Sequence, residues 1–291
     1  VDGLIIGRYR TAARTGGDPV TRVGAGIAQL AAQAGYDTVL YDLQPEAVNR
    51  GFETIAENLK VALEKKKITA SQKEQTLSRI IITTSFSDLI ADIVIEAIIE
   101  RLETKSALFQ KLATMIKDPE AIFCSNTSSI PITLLARGIP HPERIAGMHF
   151  FNPPHLMKLV EIVCGAATGI ENAKVIFSLA EKMGKVPVMV KDSPGFIVNR
   201  IGKLYHTEPL KILEEGVATI ETIDQLLEAS GFKMGPFKLI DLIGVDANLN
   251  VTKSLYEQFD LESRFRPSPI QQQLVDAGFL GKKSGRGFYP Y

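Results

Sequence analysis

The sequence predicts an α/β fold, in which a doubly wound, largely parallel sheet is followed by an all-helical domain. Its 291 residues exceed the roughly 100 to 200 that one domain usually needs. Apolar, β-rich runs alternate with helical patterns as far as Val190, which is typical of βαβ units. The apolar runs end before Pro194, and the boundary lies in the segment Lys191–Gly195, where Pro and Gly interrupt the chain. We therefore expect one domain over residues 1–191 and a helical domain over residues 192–291.

Eight apolar runs are the predicted strands of the first domain. They are Leu4–Ile6, Thr38–Tyr41, Ile80–Thr83, Ile93–Ile98, Ala121–Cys124, Ile145–Phe150, Leu159–Val163 and Val186–Val190. The second domain contains longer stretches separated by Gly, Pro and Asp. The clearest of its predicted helices are Phe196–Glu215, Thr219–Ser230 and Asn248–Phe259.

An unusually long connection joins the second and third predicted strands. Two helix-like stretches, Pro45–Lys67 and Thr69–Ser78, fill it, where α/β connections are usually short. We expect a helical arm over about residues 45–79 that projects from the sheet. Lysines cluster toward the end of its first helix, which indicates either a binding surface for anions or an ordinary solvated face.

Composition indicates an ordinary globular protein. Lys and Arg number 33 and Asp and Glu also number 33, so nothing favours a nucleic-acid partner. The sequence contains no run of 18 apolar residues and no pattern of a secretory signal, so we expect no membrane partner. Cys124 and Cys164 lie in apolar runs and form no metal-ligand pattern. We expect a cytoplasmic protein, or a mitochondrial matrix protein if a transit peptide has been removed.

A dinucleotide-binding pattern surrounds the first two predicted strands. Gly24 begins a stretch of small residues suited to a helix that packs closely on a sheet, and Asp42 ends the next strand 18 positions later. A carboxylate at that position accepts hydrogen bonds from a ribose and repels a 2′-phosphate. The pattern therefore predicts a Rossmann-type domain with NAD as the cofactor, although Asp42 could also be a simple turn residue.

The glycine loop itself is irregular. Gly7 suits the first glycine of the motif, but Gly7 and Gly24 are 17 positions apart where five are usual. About twelve residues are therefore extra within residues 8–23, which begin with the arginine-rich stretch Arg8–Arg14. Either a true insertion lies over the pyrophosphate, or the recorded sequence contains a local reading-frame error. A true insertion predicts weakened NADH binding.

Four polar clusters lie at the ends of predicted strands or at the domain junction. They centre on Ser128, His149, Glu161 and Asn199. With these clusters the sequence resembles the 3-hydroxyacyl-CoA dehydrogenase family. The resemblance runs from about Gly24 to Tyr291 and includes the M-G-P-F turn at 234–237 and the G-K-K-S-G-R-G-F-Y signature at 281–289.

The resemblance implies catalytic roles position by position. His149 is then the general base for the 3-hydroxyl group, and Glu161 orients and charges its imidazole. Ser128 and Asn199 hydrogen-bond the reacting oxygen. A histidine is chemically suited to this task because its pKa lies near neutrality. The alternatives are structural: a core histidine, an outward-facing Glu161, a helix cap by Ser128 near Pro131, and a bridge between domains by Asn199.

The resemblance also implies cofactor and substrate contacts. Glu100, Lys105 and Asn126 match positions near the nicotinamide, and Asn58 and Lys65 match positions that meet the phosphates of CoA. The expected reaction is NAD-dependent interconversion of 3-hydroxyacyl-CoA and 3-ketoacyl-CoA in fatty acid and butyrate metabolism. A homodimer and short-chain substrates are expected from the family. A dehydrogenase of a free hydroxy or sugar acid and a catalytically silent dinucleotide-binding protein are the alternatives.

Overall fold

The computed structural model describes the backbone of residues 3–8 and 19–291 and the side chains from residue 23 onward. The chain divides into two compact units, Val1–Asp192 and Ser193–Tyr291. The centre of the predicted insertion, residues 9–18, lies outside the described residues. Within the described ranges we find no helix with both the length and the apolarity needed to cross a membrane.

Eight strands form one sheet in the described part of the first unit. They are β1 (Gly3–Arg8), β2 (Asp37–Asp42), β3 (Ile80–Thr83), β4 (Ile93–Glu96), β5 (Ile122–Ser125), β6 (Ile145–Phe150), β7 (Leu159–Cys164) and β8 (Val186–Lys191). Their order is β3-β2-β1-β4-β5-β6-β7-β8, and only β6 and β7 run antiparallel to each other. The first six strands have the order of a Rossmann sheet, so the predicted fold class is confirmed.

Helices cover the sheet because its central strands are apolar on both faces. Every residue of β4, β5 and β6 is buried, as expected for parallel strands between two helical layers. The helices of this unit are α1 (Pro19–Gln33), α2 (Pro45–Glu64), α3 (Ala70–Ser78), α4 (Leu102–Met115), α5 (Ile132–Leu135) and α6 (Ile170–Lys182).

Helix α1 begins earlier than the sequence pattern predicts. We expected its start near Gly24, but the helix begins at Pro19, which places Gly24 in its second turn. Proline suits a first helical turn because its missing N–H would have no partner there. Farther along, Ala28 and Ala31 are fully buried, so their small side chains allow close packing on the sheet.

The predicted arm is confirmed as helical but is partly packed rather than wholly projecting. Along α2, Val48, Ile55 and Leu59 are buried, and the helix contacts α1, β2 and β3. After Leu59 no residue of the helix is buried, and residues 64–67 are exposed. Thr69 then starts α3 with a reciprocal capping box in which its side chain accepts from the backbone N–H of Gln72. The lysine-rich end of the arm is therefore its solvent-facing part.

The second unit is helical in its described elements, as predicted. Its helices are α7 (Val198–Gly202), α8 (Leu204–Glu214), α9 (Ile220–Ala229), α10 (Pro236–Ile243), α11 (Val245–Gln258) and α12 (Pro269–Asp276). The single helix predicted over Phe196–Glu215 was wrong at its start. Phe196 has φ 53°, in the left-handed region, so the helix cannot begin until the following residues.

The C-terminal signature folds around a buried carboxylate. Asp241 of α10 is 1% exposed and accepts hydrogen bonds from the backbone N–H groups of Phe288 and Tyr289, both at 2.9 Å. The hydroxyl of Tyr291 donates to the same carboxylate at 3.1 Å. The glycines of the signature allow the chain to come this close, since a Cβ at Gly287 would lie 2.0 Å from Asp241 Oδ1.

Replacing Gly287 should therefore destabilise the second unit. We expect Gly287→Ala to lower the free energy of unfolding by about 3 kcal/mol, because the tail must leave Asp241 or strain its backbone. Thermal unfolding followed by circular dichroism measures this. The matched control is Gly202→Ala, where the added Cβ meets nothing within 4 Å. An unchanged Tm in Gly287→Ala would show that the tail is not anchored in this way.

Candidate active site

A histidine and a glutamate face each other at the end of β6. His149 and Glu161 are directly opposed in the antiparallel pair of β6 and β7. His149 Nδ1 lies 2.7 Å from Glu161 Oε2, and the two side chains are 7% and 0% exposed. Directly opposed residues of an antiparallel pair have their Cβ atoms about 5 Å apart. The strand register therefore makes this pair, and the outward-facing alternative for Glu161 is wrong.

The geometry fixes which ring nitrogen is basic. An ionised carboxylate can only accept hydrogen bonds, so Nδ1 of His149 donates to Glu161 and the neutral ring has its lone pair on Nε2. A negative charge beside Nδ1 stabilises the imidazolium that forms when Nε2 takes a proton. The arrangement can therefore remove a proton from a hydroxyl group and hold the charge that results.

Asn126 connects the ends of three neighbouring strands. Its backbone N–H donates to Glu96 O of β4 at 2.7 Å, and its side-chain Oδ1 accepts from the backbone N–H of Phe150 at 2.8 Å. Phe150 follows His149 directly, so Asn126 holds the backbone beside the histidine. This contact leaves the amide nitrogen of Asn126 as the group that can act on a ligand.

A buried ion pair lies beneath these strand ends. Lys105 of α4 donates to Glu96 Oε1 at 2.6 Å and to the carbonyl oxygen of Ile98 at 3.2 Å. Glu96 also accepts from Ser125 Oγ at 2.6 Å and from the backbone N–H of Ile98. Lys105 is 1% exposed and Glu96 is 0% exposed, so neither charge is solvated. Burial lowers the pKa of Lys105, but Glu96 and Glu100 outweigh it and raise the pKa above its usual value.

Glu100 connects this ion pair to the loop after β5. Its Oε2 lies 3.3 Å from Lys105 Nζ, while its Oε1 accepts from the backbone N–H groups of Ser128 and Ser129 at 2.8 and 3.0 Å. Burial raises the pKa of Glu100, but Lys105 and the hydrogen bonds from Thr127, Ser128 and Ser129 lower it by more, so the net shift is downward. Glu100 therefore stays ionised and fixes the backbone at Ser128.

Ser128 is therefore held by Glu100 and caps no helix. Helix α5 has Pro131 as its N-cap residue, and no side chain caps it. The capping alternative for Ser128 is wrong, because no side chain caps α5 from its N-cap position and the backbone N–H of Thr133 in its first turn donates to Asp192 Oδ2 at 2.8 Å. Its hydroxyl group lies 3.5 Å from Glu100 Oε1.

An apolar cavity lies beside Asp42 at the end of β2. Asp42 is buried, and its Oδ1 accepts from the backbone N–H of Gln44 at 3.0 Å. The cavity has a volume of about 320 Å³. It is lined by Tyr41, Leu43, Phe86, Ile98, Thr104, Ala107, Leu108 and Lys111. A mostly apolar cavity lined by both chain neighbours of a strand-end carboxylate suits an adenosine, so the residues present are compatible with a dinucleotide.

Family models match almost the whole chain. Residues 21–193 match the model "3-hydroxyacyl-CoA dehydrogenase, NAD binding domain", and residues 195–291 match "3-hydroxyacyl-CoA dehydrogenase, C-terminal domain". The chain belongs to the 3-hydroxyacyl-CoA dehydrogenase family. The family predicted from the sequence and the NAD cofactor of its first domain are thereby confirmed.

Similar proteins include both longer and equally long dehydrogenases. The chain is 48% identical to a 3-hydroxyadipyl-CoA dehydrogenase of Escherichia coli K12 over 92% of its own length, but it spans only 57% of that protein. It is 43% identical to a probable 3-hydroxybutyryl-CoA dehydrogenase of Deinococcus radiodurans, covering 93% of this chain and 97% of that one. A crystal structure of an Escherichia coli 3-hydroxybutyryl-CoA dehydrogenase superposes with a TM-score of 0.92 at 45% identity, over 99% of this chain and 59% of that one.

The remaining predicted site residues of this 3-hydroxyacyl-CoA dehydrogenase family member lie on β1, on α2 and its C-cap, and on α7. Gly7 pairs with Tyr41 and Glu96 inside the sheet, so it belongs to β1 rather than to the loop after it. Asn199 lies on α7 of the second unit. Asn58 faces α1, where its amide donates to Gln29 at 3.1 Å. Lys65 is the C-cap residue of α2 and is exposed.

Sequence reasoning missed Glu96 and the apolar cavity at the end of β2 in this family member. We predicted that the fourth strand runs to Ile98, which hides an acid at a strand end, but β4 stops at Glu96. An acid directly after the buried run Ile93–Ile95 was the available signal. The cavity is lined in part by Phe86, which begins a short 3-10 helix after β3 and carries no sequence pattern linking it to Asp42.

Proposed function

We propose that the chain catalyses NAD-dependent oxidation of (3S)-hydroxyacyl-CoA to 3-ketoacyl-CoA, and the reverse reaction. The observation that carries the proposal is the buried His149–Glu161 pair at the end of β6, 2.7 Å apart, in a member of this family. Nicotinamide, when bound, supplies or accepts the hydride of this reaction. Short-chain acyl groups are the proposed substrates, because the similar proteins are named for 3-hydroxybutyryl and 3-hydroxyadipyl thioesters.

In this reaction the residues of the chain transfer the proton of the 3-hydroxyl group and hydrogen-bond the oxygen on C3. In oxidation His149 Nε2 takes the proton of the 3-hydroxyl group, and Glu161 stabilises the imidazolium through Nδ1. By family resemblance, Ser128 and Asn199 hydrogen-bond the same oxygen, which favours negative charge on it. In reduction His149 returns the proton to that oxygen.

Cofactor contacts are proposed at four strand ends. Asp42 holds the ribose hydroxyls and the apolar cavity takes the adenine. Gly7 in β1 and Gly24 in the second turn of α1 are the proposed glycines on either side of the segment that meets the pyrophosphate. Glu100 and Asn126 face the nicotinamide end. Lys105 has only 1% of its side chain exposed, so we assign it a positioning role through Glu100 rather than a direct contact.

The domain roles and the assembly follow the same proposal. We propose residues 1–191 as the NAD-binding domain and residues 192–291 as the substrate and dimerisation domain. An apolar groove on the second unit includes exposed Val217 and Leu226, which are 70% and 65% exposed and suit a homodimer contact. Light scattering tests this, and a monomer mass would contradict it.

We propose a cytoplasmic or mitochondrial matrix location because Cys124 and Cys164 are free thiols.

The test of the proposed reaction is oxidation of NADH in the presence of acetoacetyl-CoA, with free acetoacetate as the comparison. We expect turnover with the thioester and very little with the free acid. Equal turnover with both would favour a dehydrogenase of free hydroxy acids. Tight NADH binding with no turnover on either would favour a silent dinucleotide-binding protein.

The cofactor preference should depend on Asp42. We expect wild-type kcat/KM to favour NADH over NADPH by roughly 10²-fold or more, because a 2′-phosphate would meet a buried carboxylate. Asp42→Ala should narrow this ratio by removing the repulsion. The matched control is Asp37→Ala at the exposed start of the same strand, which should leave the ratio unchanged. Equal use of both cofactors by the wild type would refute the assignment.

The lysines that follow α2 should affect the KM for CoA substrates but not the affinity for NADH. We expect neutralising Lys65 and Lys66 together to raise KM for acetoacetyl-CoA roughly three- to tenfold, more at low salt, because exposed charge pairs are weak and screened. NADH affinity should not change. The control is the double variant Lys174→Gln, Lys182→Gln, which neutralises two exposed lysines of α6. An unchanged KM would make the arm an ordinary solvated face.

A further inference from the structure

The second unit contains a buried cluster of polar side chains outside the proposed catalytic machinery. Its members come from the start of α8 and from helices α11 and α12, and each is less than 9% exposed. They are Lys203, His206, Asn248, Thr252 and Gln271. Burying this many polar groups is costly unless their hydrogen bonds are satisfied, so the partners of each atom matter.

The hydrogen bonds of the cluster determine the tautomer of His206. Gln271 Nε2 lies 3.0 Å from the carbonyl oxygen of Val245, which can only accept, and it also donates to Asn248 Oδ1 at 3.1 Å. The amide nitrogen of Asn248 must then face His206 Nδ1, 2.8 Å away, so Nδ1 accepts. Burial and the nearby Lys203 lower the pKa of His206 to about 3, so the ring is neutral and its proton is on Nε2.

Two buried donors are consequently short of acceptors. Among the described residues His206 Nε2 has no hydrogen-bond partner. Lys203 Nζ donates to the carbonyl oxygen of Asn248 at 2.9 Å, and no described carboxylate lies within ion-pair distance of it. Burial lowers the pKa of Lys203 to about 7. An anion is the ligand that would satisfy an ammonium group and an imidazole N–H together.

The position of Lys203 indicates where such an anion comes from. Its backbone N–H donates to Asn199 O at 3.0 Å, so the two residues are one helical turn apart on the same face. Side chains so spaced have Cβ atoms roughly 5 to 6 Å apart. In the proposed function Asn199 contacts the oxygen on C3 of the substrate. A carboxyl carbon three bonds beyond C3 is about 4 Å from it, within the reach of a lysine side chain.

We propose that Lys203 and His206 bind the terminal carboxylate of the acyl group, so that the substrate class is CoA thioesters of dicarboxylic acids. The proposal rests on the proposed function and narrows its substrate. The carboxylate would accept from Lys203 Nζ and from His206 Nε2 and would neutralise the buried ammonium. Enclosed water is the competing occupant, because it can also satisfy Gln271 Oε1, the cluster's other buried atom without a partner.

The test compares two six-carbon substrates that differ only in their terminal group. We would measure kcat/KM of the whole chain with NADH and either 3-oxoadipyl-CoA or 3-oxohexanoyl-CoA. The wild type should favour the carboxylated substrate roughly tenfold or more. Lys203→Met should lower kcat/KM for 3-oxoadipyl-CoA by roughly 10- to 100-fold, the usual effect of a hydrogen bond to a charged group. It should change the value for 3-oxohexanoyl-CoA less than about threefold.

Lys211→Met is the matched control, since Lys211 is an exposed lysine of the same helix α8 and should affect neither substrate. If Lys203→Met does not fold, Lys203→Gln, which keeps a donor but no charge, carries the same comparison. A wild type without preference, or equal losses on both substrates, would overturn the proposal and leave water in the cluster.

Two further outcomes distinguish a site for a free anion, and a failure of the proposed function, from the proposed carboxylate site. If phosphate or chloride raises the Tm of the wild type but not of Lys203→Met, and the substrate ratio is unchanged, the cluster binds a free anion and the substrate assignment is wrong. If the wild type reduces neither thioester, the result contradicts the proposed dehydrogenase function itself. A loss confined to the carboxylate-binding role of Lys203 would instead leave reduction of 3-oxohexanoyl-CoA intact.

Discussion

His149→Gln should lower kcat by roughly 10²- to 10⁴-fold, the range found when a general base is lost. Glutamine keeps a polar side chain of similar size at the end of β6, but it cannot take a proton from the 3-hydroxyl group. NADH affinity should change little, because His149 is proposed to contact the substrate rather than the cofactor. Steady-state kinetics with acetoacetyl-CoA and calorimetry with NADH measure the two effects separately.

His141→Gln is the control for this substitution. His141 lies on an exposed turn, 3.1 Å from Glu143, and should tolerate the same change without loss of turnover. Glu161→Gln should reduce kcat as well, because the imidazolium loses its neighbouring charge. Near-normal turnover of His149→Gln would remove His149 from the mechanism and with it the central pair of the site.

Lys105→Met should have the largest effect on stability, lowering the free energy of unfolding by roughly 3 to 5 kcal/mol. Lys105 and Glu96 are buried 2.6 Å apart, so removing the ammonium leaves a carboxylate without solvent or counter-charge. Glu96 would keep only its hydrogen bonds from Ser125 and from the backbone of Ile98. Chemical denaturation of the variant and the wild type measures the loss.

A second substitution separates lost charge balance from lost packing. The double variant Lys105→Met, Glu96→Gln removes both charges and should recover much of the stability that Lys105→Met loses. The control is Lys174→Met, whose ion pair with Glu171 is exposed and should contribute less than about 1 kcal/mol. If Lys105→Met and Lys174→Met are equally stable, the buried pair does not stabilise the first unit.

Much of the fold could be predicted from the sequence because hydrophobic periodicity is a local signal. All eight predicted strands are present, and the βαβ alternation is enough to predict a parallel sheet. Local exceptions were harder to predict. The positive φ of Phe196 delays α7, and the packing of α2 on α1 depends on contacts between segments distant in sequence.

The site was predictable where chemistry and strand ends coincide. His149 and Glu161 were identified from the residues and from the family resemblance, but their pairing depends on the antiparallel register of β6 and β7, which one sequence does not encode locally. The ion pair of Lys105 with Glu96 could not be predicted, because it depends on how the chain turns between the end of β4 at Glu96 and the start of α4 at Leu102. The unsatisfied hydrogen-bond donors of Lys203 and His206 could not be predicted either, because identifying them requires the contacts of both side chains in the folded chain.

The central claim is that hydride passes between nicotinamide and C3 of an acyl thioester. The most direct measurement uses NADH carrying deuterium at both C4 positions, acetoacetyl-CoA as the substrate, and mass spectrometry of the product. We predict 3-hydroxybutyryl-CoA with one deuterium, located at C3, formed in equal amount to the NADH consumed. A product without deuterium at C3, or no product from a chain that binds NADH, would contradict the claim.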